Sequence, residues 1–538
     1  MGQNTAFTTR YEHHFGDRII RCYQERPASV LDSFLASVER APDADCIVCE
    51  GQRLSYQQVA DQADAMAAQL RHRGVAEGDR VGLLIGNSTE LVLSILGVLR
   101  AGAIVIPLNT REQAPGLRYM LEHSDARAVV FAGEQTGKLP DPDELPGLRH
   151  RFAISGGDEH SEPFENLLQD TGTDLPLLSV NEEDPAVILY TSGTTGTPKG
   201  VILTHFNIIH SVMHFQHIMA LGNGERSLMV APGSHVTGLV ANIFTMAHVA
   251  GCIVIIPGFD AVEAVNLIAR EKVTHTIMVP AMYNLCLLRT NFRDHDLSAF
   301  RIGGFGGAPM PESTIAQLRE QLPDLELINA YGATETTSPA TSLPLGDAGR
   351  HADSVGQVVP CGDIRIMDDH GREVAPGESG ELWISGPMVV PGYWNNPDAS
   401  AREFTAGHWK SGDIGSVDAD GFVRIFDRKK DMINRGGYNI YSVELENLIT
   451  GHPSVVECAV IPHPDEVLGE KIHVFVTRVE DGTLTEADIR QFCRDNLADY
   501  KTPDYVTIQQ EPLPRNANGK LVKAGLKARI GNAEGQDQ

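Results

Sequence analysis

From about residue 54 onward, the hydrophobic positions alternate between a helical period and a strand period. Ser55 followed by Gln58 forms a capping box, which predicts that a helix starts there. Short apolar runs without polar interruption follow at residues 81–85 and at later positions. Such runs between helices are typical of a parallel sheet that is covered on both faces. The apolar residues after the capping box recur every three or four positions and predict one buried helix face: Tyr56, Val59, Ala63, Ala67 and Leu70.

The same alternation returns through the first two thirds of the chain. The longest apolar run, residues 238–259, is long enough to raise the question of a membrane span. Asn242, His248 and Gly251 interrupt it, so we expect a buried helix followed by a core strand. A further helix is predicted at residues 90–100, and further strands at residues 103–106, 127–131, 227–230, 252–256, 275–279 and 325–329.

After about residue 350 the pattern becomes rich in turns and short strands, and beyond residue 430 it changes to a small α+β pattern. The expected fold class is therefore α/β, with stacked doubly wound sheets and a β-rich subdomain at about residues 350–429. We expect an N-terminal domain of residues 1–429 and a C-terminal α+β domain of residues 430–538. In the latter, helices are predicted at 442–450 and 486–497, and strands at 455–461 and 473–479.

The net charge of −27, from 44 Lys and Arg against 71 Asp and Glu, limits the class of partner. Nucleic acids and anionic membrane surfaces attract proteins through a basic face, so neither partner is expected. A small anionic ligand needs only a local positive pocket and remains compatible with this charge.

The eight cysteines are too sparse in 538 residues for a disulfide scaffold. Cys46 and Cys49 form a lone C-x-x-C on a predicted strand, where residues three apart point to opposite faces, so buried thiols are favoured over a metal or redox pair.

The first residues have no apolar signal core, and Ala6 stands where myristoylation requires Ser or Thr. The last residues carry no peroxisomal address, and a cytoplasmic location is the expectation.

The most informative segment is a loop rich in Gly, Ser and Thr that follows the apolar residues 186–189. Glycines allow backbone N–H groups to turn toward an anion, while hydroxyl groups and a lysine add donors and positive charge. The loop lacks the Gly-Lys-[Ser/Thr] ending of a Walker A motif, and a flexible linker is the alternative. The candidate phosphate-binding residues are Thr191, Ser192, Gly193, Thr194, Thr195, Gly196 and Lys199.

Four further segments narrow the chemistry. Residues 303–309 form a Gly-rich turn where a flat ring could approach the backbone. Residues 331–335 offer an aromatic face, a hydroxyl and a carboxylate directly after a predicted strand. Residues 411–413 put a carboxylate on a tight turn, where it could accept bonds from a ribose diol. Residues 514–520 present a lysine on an exposed loop near the C-terminus.

In their order along the chain and in their amino-acid residues, these segments resemble the motifs of the adenylate-forming superfamily. The match runs from about residue 30 to the end of the chain. That superfamily groups AMP-forming acyl-CoA synthetases, the adenylation domains of nonribosomal peptide synthetases, and beetle luciferases. The resemblance implies that a carboxylate attacks Mg-ATP to give an acyl-adenylate and pyrophosphate, after which coenzyme A displaces AMP. It also implies that the C-terminal domain is a mobile lid.

The resemblance also assigns roles in the first step. The loop of residues 191–200 would hold the β- and γ-phosphates of ATP. Thr334 would contact the α-phosphate, Glu335 would bind Mg²⁺, and Lys520 would bridge the α-phosphate and the substrate carboxylate. Adenine would lie against Gly307, Ala308, Pro309, Tyr331 and Gly332, and the ribose against Asp413 and Arg428.

For the acid and the second step, the implied residues are different. His235 resembles an aromatic gate beside the acyl pocket, and Lys430 the hinge between domains. The implied acyl pocket comprises His235, Val236, Gly238, Gly304 and Phe305, and the loop for the thioester step comprises Gly436, Gly437 and Tyr438.

Simpler interpretations stand beside these roles. His235 could be a core histidine, Asp413 a turn aspartate, and Lys430 a solvated surface charge. His210, His214 and His217 share a predicted helix face and could bind a metal, although no acidic partner lies among them.

Two departures from the family pattern concern the pocket and the C-terminal domain. Gly233 and Ser234 stand where bulky residues are common before the gate histidine. Ser442 stands where many acyl-CoA synthetases have proline, and we expect that difference to be minor.

The expected ligands are ATP, Mg²⁺, coenzyme A and a small carboxylic acid, and a homodimer is left open. The few residues after Lys520 would not accommodate an appended carrier domain, so a carrier protein in trans is the alternative acceptor. A luciferase or a non-catalytic nucleotide sensor is less favoured.

The pocket segments contain no Asp to bind an α-amine and are apolar and small, which favours a short or medium aliphatic acid or an aryl acid over an amino acid.

Overall fold

The computed structural model describes residues 7–172, 175–176, 178–191, 197–308, 310–479, 483–515 and 521–534. The chain divides into two compact units. Unit 1 comprises residues 1–365, 383–410 and 420–423, and unit 2 comprises residues 366–382, 411–419 and 424–538. The boundary at residue 430 remains a prediction.

The strands are β1 (Thr9–His14), β2 (Arg18–Tyr23), β3 (Asp45–Cys49), β4 (Gln52–Ser55), β5 (Arg80–Leu84), β6 (Ile104–Pro107), β7 (Ala126–Ala132), β8 (His150–Ile154), β9 (Glu162–Pro163), β10 (Pro185–Thr191), β11 (Lys199–Thr204), β12 (Arg226–Met229), β13 (Cys252–Ile255), β14 (His275–Met278), β15 (Ile302–Phe305), β16 (Glu326–Tyr331), β17 (Thr341–Ser342), β18 (Gly356–Val358), β19 (Asp363–Met367), β20 (Gly380–Ser385), β21 (Phe404–Thr405), β22 (His408–Val417), β23 (Phe422–Arg428), β24 (Ile433–Arg435), β25 (Tyr438–Ile440), β26 (Val455–Asp465), β27 (Gly469–Arg478) and β28 (Tyr505–Gln509).

The helices are α1 (Val30–Arg40), α2 (Tyr56–His72), α3 (Thr89–Arg100), α4 (Ala114–His123), α5 (His205–Ile218), α6 (Thr245–Val249), α7 (Ala261–Arg270), α8 (Pro280–Arg289), α9 (Glu312–Gln321), α10 (Pro397–Glu403), α11 (Ser442–Thr450), α12 (Glu486–Asn496) and α13 (Lys523–Glu534). A π-helix, Thr237–Phe244, leads directly into α6.

Unit 1 contains two sheets whose central strands are parallel, which confirms the doubly wound α/β prediction. The first has the order β11-β10-β6-β5-β7-β8-β9, and the second includes the order β18-β17-β16-β15-β14-β12-β13-β3-β4. In the second sheet β3, β13, β12, β14, β15 and β16 are parallel neighbours, so their carboxyl ends meet along one edge.

Successive side chains of the central strands enter different apolar cores, as expected for strands that are covered on both faces. Val105 of β6 belongs to the largest core, which also contains residues of α1, α2, α3 and α5, whereas its neighbours Ile104 and Ile106 pack with α4. On the second sheet, Ile277 of β14 belongs to the largest core and Met278 packs with α7, α8 and α9. Helices therefore cover each sheet on both sides.

Most of the predicted local signals in unit 1 are confirmed. The side chains of Ser55 and Gln58 form the reciprocal capping box at the start of α2. The long apolar run folds as the π-helix, α6 and β13, and Cys46 and Cys49 are buried free thiols. Over the described ranges, the protein has no helix with the length and apolar character that crossing a membrane requires.

Unit 2 contains the small α+β region that the sequence predicts after residue 430. Strands β25, β24, β27 and β26 are hydrogen-bonded in that order, and β28 pairs with β27. Helices α11 and α12 pack on one face of this sheet, and α13 on the other. The predicted α11, residues 442–450, matches the observed bounds Ser442–Thr450.

Candidate active site

The carboxyl edge of the second sheet in unit 1 collects several of the predicted site residues. Tyr331 ends β16, and Gly332 and the short 3-10 helix Thr334–Thr336 follow it. Phe305 ends β15 beside it, and Gly307 follows with a φ of +77°. Ligands of open α/β sheets bind in the crevice outside these strand ends.

His235 reaches the same edge from the loop after β12. Its backbone N–H donates to the Pro232 carbonyl (2.9 Å), and its Nδ1 accepts from the Thr237 N–H (3.2 Å). The side chain of His235 is exposed, so its interpretation as a core histidine is wrong. Val236, the next residue, is buried where the π-helix begins.

The glycines near the predicted acyl pocket are required by packing. A Cβ on Gly233 would lie 2.5 Å from Leu91 Cδ2, and one on Gly238 would lie 2.2 Å from the Pro232 carbonyl oxygen. A Cβ on Gly304 would lie 2.8 Å from Ile277 Cγ1. The small side chains at these positions therefore leave no open pocket volume in the Cβ direction, because neighbouring residues already fill it.

The Gly-rich segment at 303–309 is only partly the turn that the sequence predicts. Gly303, Gly304 and Phe305 lie in β15 between two parallel strands, and the turn is confined to the residues that follow. Gly307 and Ala308 are exposed there, whereas Pro309 lies outside the described residues.

Two antiparallel strands, β10 and β11, flank the candidate phosphate loop in the chain. Thr191 at the end of β10 pairs with Lys199 at the start of β11, and Ser192, Gly193, Thr194, Thr195 and Gly196 lie outside the described residues. Lys199 is buried, and its Nζ donates to both carboxylate oxygens of Glu403 (2.7 and 2.8 Å). The lysine that the sequence assigns to phosphate is thus paired with a carboxylate in this structure.

Glu335 is joined to that ion pair through a tyrosine. The Tyr393 hydroxyl lies 3.0 Å from Glu335 Oε1 and 2.5 Å from Glu403 Oε2, and the ring of Tyr393 lies 4.3 Å from Lys199 Nζ. Glu335 and Tyr393 are both buried. Four side chains from four different elements or loops, Lys199, Glu335, Tyr393 and Glu403, therefore meet in one cluster.

The two carboxyl groups have opposite pKa shifts. Burial raises the pKa of Glu335. Burial also acts to raise the pKa of Glu403, but the Lys199 ammonium outweighs it and the pKa falls below its ordinary value. A phenol has one proton to donate. The Tyr393 hydroxyl can therefore donate to only one of the two carboxyl groups at a time.

We expect Tyr393→Phe to lower the free energy of unfolding by about 1–3 kcal/mol, because it removes the hydroxyl group that the buried Glu335 shares with the half-buried Glu403. Urea denaturation followed by circular dichroism measures this change. The matched control is Tyr11→Phe, at a tyrosine that is 72% exposed, where we expect a change within about 0.5 kcal/mol. Equal stability of the two variants would show that the bridge contributes nothing.

Asp413 and Arg428 lie in unit 2 and contact each other. Arg428 Nε is 2.6 Å from Asp413 Oδ1, and Asp413 is buried. Asp413 lies within β22 and not on a tight turn as predicted, although Gly412 before it has a φ of +69°. Its interpretation as a plain turn aspartate is therefore wrong, because a buried carboxylate requires the charge partner that Arg428 supplies.

The predicted hinge and thioester-step residues also lie in unit 2. Lys430 follows β23 and is exposed. Gly436 and Gly437 form the two-residue turn between β24 and β25, with φ values of +60° and +91°, and Tyr438 stacks on Tyr500 with ring centroids 4.6 Å apart. Two positive φ angles favour glycine at both turn positions. Lys520 lies outside the described residues.

Two other clusters of possible metal ligands have structural explanations. Glu12, His14 and Cys22 place one ligand atom each within 4.8 Å of one another. Arg26, however, donates to both carboxylate oxygens of Glu12, and its positive charge opposes a cation there. His210 and His214, which the sequence offers as metal ligands with His217, are buried rings packed beside Tyr23.

Over residues 34–394 the chain matches the profile of a family described as "AMP-binding enzyme", and over residues 444–520 that of "AMP-binding enzyme C-terminal domain". The chain belongs to the AMP-binding enzyme family. The first match covers more than half of the sequence and includes the loop before Lys199, Glu335 and Tyr393.

Similar proteins include several acyl-CoA ligases. The long-chain-fatty-acid–CoA ligase FadD13 of Mycobacterium tuberculosis is 34% identical over 478 residues, 88% of this chain and 93% of the relative. Feruloyl-CoA synthase of an Amycolatopsis species is 31% identical over 493 residues, 91% of this chain and 97% of the relative.

Among solved structures, O-succinylbenzoate coenzyme A synthetase (MenE) of Bacillus subtilis in complex with ATP and magnesium ion is similar. It has a TM-score of 0.83 and 26% identity, and the match covers 92% of this chain and 99% of that one.

This AMP-binding enzyme is therefore an AMP-forming acyl-CoA synthetase. It activates a carboxylic acid to an acyl-adenylate and transfers the acyl group to coenzyme A. The comparisons lend no support to the loading of a carrier protein in trans.

In this AMP-binding enzyme, sequence reasoning missed Tyr393 and Glu403. Tyr393 stands in the segment Pro391-Gly392-Tyr393-Trp394, and Glu403 ends α10. Their signal is weak, because each is a single residue far in sequence from Lys199 and Glu335, and only the packing of β10, β11 and α10 brings them together.

Proposed function

We propose that the nucleotide binds at the carboxyl edge of the second sheet in unit 1. The observation that carries this proposal is the convergence of Tyr331, Gly332, Thr334 and Glu335 after β16 with Gly307 after the neighbouring β15. Adenine would lie between the exposed Gly307–Ala308 backbone, with Pro309, and the ring of Tyr331. The Thr334 hydroxyl would then contact the α-phosphate.

We propose that Glu335 holds Mg²⁺. The donor set fits a hard cation, which takes one or two carboxylates together with phosphate oxygens. Burial raises the pKa of Glu335, and a cation bound there would favour the ionised carboxylate. When bound, the ion would neutralise the charge of the triphosphate. Lys199 and the loop of residues 191–196 would bind the β- and γ-phosphates.

The remaining nucleotide and catalytic roles fall to unit 2. The buried Asp413 carboxylate, oriented by Arg428, is suited to accept hydrogen bonds from a ribose diol. Lys520 would bridge the α-phosphate and the attacking carboxylate. The Gly436–Gly437 turn with Tyr438 would approach the acyl group in the second step, with coenzyme A as the thiol.

We propose an acid without an α-amine, either a short or medium aliphatic acid or an aryl acid. The loop of His235 and the apolar π-helix border the proposed pocket, together with Phe305, and they carry no carboxylate for an ammonium group. A hydrophobic wall favours acids with apolar chains or rings.

A panel of carboxylates assayed by pyrophosphate release, with ATP, Mg²⁺ and coenzyme A, tests the proposed substrate class. It should include acetate, hexanoate, decanoate, benzoate, 4-coumarate, phenylalanine and leucine. We expect the highest kcat/KM among the acids without an amino group. Preference for phenylalanine or leucine would contradict the proposed pocket.

We also propose that Lys430 is the hinge between the two half-reactions. Lys430→Pro fixes φ near −65° and removes the backbone N–H, so it should restrict rotation there. We expect thioester formation from preformed acyl-adenylate and coenzyme A to slow by at least about tenfold, with pyrophosphate exchange near that of the wild type.

Lys430→Ala is the control, because it removes the side chain and leaves the backbone free. It should retain both half-reactions within about twofold. Equal losses in both steps for Lys430→Pro would place the hinge elsewhere.

A further inference from the structure

Ser442, the first residue of α11, makes more polar contacts than its position requires. Its backbone N–H donates to Asp427 Oδ2, and its Oγ donates to Asp427 Oδ1 at 3.1 Å. The same Oγ accepts from Lys523 Nζ at 2.7 Å. Ser442 is fully buried, and Asp427 is 2% exposed. One hydroxyl group therefore joins a buried carboxylate to a lysine.

The partners of Ser442 are anchored on other elements of unit 2. Lys523 also pairs with Glu446 Oε1 at 2.7 Å, and the same oxygen accepts from the Val460 N–H at 2.8 Å. Asp427 Oδ1 also accepts from the Arg428 N–H at 2.7 Å. The cluster thus connects the end of β23, helix α11, strand β26 and the start of α13.

These elements are the ones that flank the hinge and the adenylation lysine. Lys430 lies between Asp427 and Ser442 in the chain, and Lys523 lies three residues after Lys520. One turn further along α13, Lys527 Nζ donates to the Lys430 carbonyl at 3.1 Å. A change of the backbone angles at Lys430 moves Asp427 relative to Ser442, so it must break the two bonds between them.

We propose that Ser442 is a positioning residue, which holds the hinge segment and the start of α13 in one arrangement and so biases the enzyme between its two half-reactions. The proposal rests on the proposed function, in which Lys430 is the hinge and Lys520 serves only adenylation. Hydrogen bonds to a buried charged group are among the stronger ones, so this arrangement is favoured over one that breaks them.

Ser442 stands where the resemblance places proline in many acyl-CoA synthetases. Proline has neither the N–H nor the hydroxyl that bind Asp427 here. We therefore revise the expectation that the difference at this position is minor. Ser442 restrains the hinge segment through hydrogen bonds that a proline at the same position could not form.

The variants Ser442→Pro and Ser442→Ala separate the two kinds of contact. Proline at the first position of a helix is compatible with folding, and it removes both bonds to Asp427 and the bond from Lys523. Alanine retains the N–H bond and removes only those of Oγ. The matched control is Glu486→Pro, at the exposed first residue of α12.

Two measurements test the proposal. The first is the ratio of adenylation to thioester formation from preformed adenylate, in single turnovers with the best acid of the panel. We expect Ser442→Pro to change this ratio by about tenfold, Ser442→Ala by less in the same direction, and Glu486→Pro not at all. The second is limited trypsin cleavage at Arg428, Lys429 and Lys430, which needs no substrate and should be faster in both Ser442 variants.

A ratio within about twofold of wild type in a folded Ser442→Pro, or opposite shifts in the two Ser442 variants, would overturn the proposal. Unchanged trypsin cleavage in both variants would also overturn it. If Ser442→Pro does not fold, both measurements are made on Ser442→Ala and are judged by the same criteria. Failure of the proposed function is distinguishable, because the wild-type enzyme itself would then lack one of the half-reactions.

Discussion

Lys520→Ala should slow acyl-adenylate formation by about 100-fold or more, because the proposed lysine neutralises charge that develops between the carboxylate and the α-phosphate. The same variant should convert preformed acyl-adenylate and coenzyme A to thioester at close to the wild-type rate, since the lysine is proposed to act only in the first step. Pyrophosphate exchange and single-turnover thioester formation measure the two steps separately.

Lys272→Ala is the control for removal of a solvated lysine, because Lys272 is exposed and paired with Asp296 on the surface of unit 1. It should leave both steps unchanged. If Lys520→Ala impaired both steps equally, one rigid active site would serve both half-reactions and the division of roles would be wrong.

Glu335→Gln should lower turnover by about 100- to 1000-fold, because the amide cannot hold the metal ion against the phosphates. The fold should tolerate the change, since burial already raises the pKa of Glu335 and favours its neutral form. The measurement is the rate of pyrophosphate release as a function of Mg²⁺ concentration, together with urea denaturation.

The control Glu312→Gln removes a carboxylate from the exposed first turn of α9 and should retain wild-type activity. Near-normal turnover of Glu335→Gln at saturating Mg²⁺ would place the metal on another group. A large loss of stability without a change in activity per folded molecule would make Glu335 a structural residue.

The regular parts of the fold could be predicted because their signals are local. The capping box of Ser55 and Gln58 predicts the start of α2, and the apolar run at residues 81–85 predicts β5 to within one residue at each end. The α/β class follows from the alternation of such elements. β11 was missed because the residues from Lys199 to Thr204 follow a glycine-rich loop and read as its continuation.

The candidate site could be predicted only where motifs are contiguous. Tyr331, Thr334 and Glu335 are neighbours in the sequence, and the structure places them together after β16. The bridge from Glu335 through Tyr393 to Glu403 and Lys199 could not be predicted, because it joins residues that are 10 to more than 200 positions apart. Its existence depends on burial, which a single sequence does not report.

The shape of the acyl pocket could not be predicted from the sequence. At Gly233, Gly238 and Gly304 the position of a Cβ is already occupied by a neighbour, which only the packing shows. The relatives are named for a long-chain fatty acid and for a feruloyl group, and each is covered by this chain over more than 90% of its length. Similarity over nearly the whole chain therefore does not by itself identify the acid.

The enzyme transfers an adenylyl group to the acid and then the acyl group to a thiol. The most direct test is product analysis by chromatography after the best acid of the panel, ATP and Mg²⁺ are mixed with the enzyme, with and without coenzyme A. We expect AMP, pyrophosphate and acyl-CoA in equal amounts, with sustained AMP formation only when coenzyme A is present. ADP and phosphate as the products, or AMP formation that does not depend on coenzyme A, would contradict it.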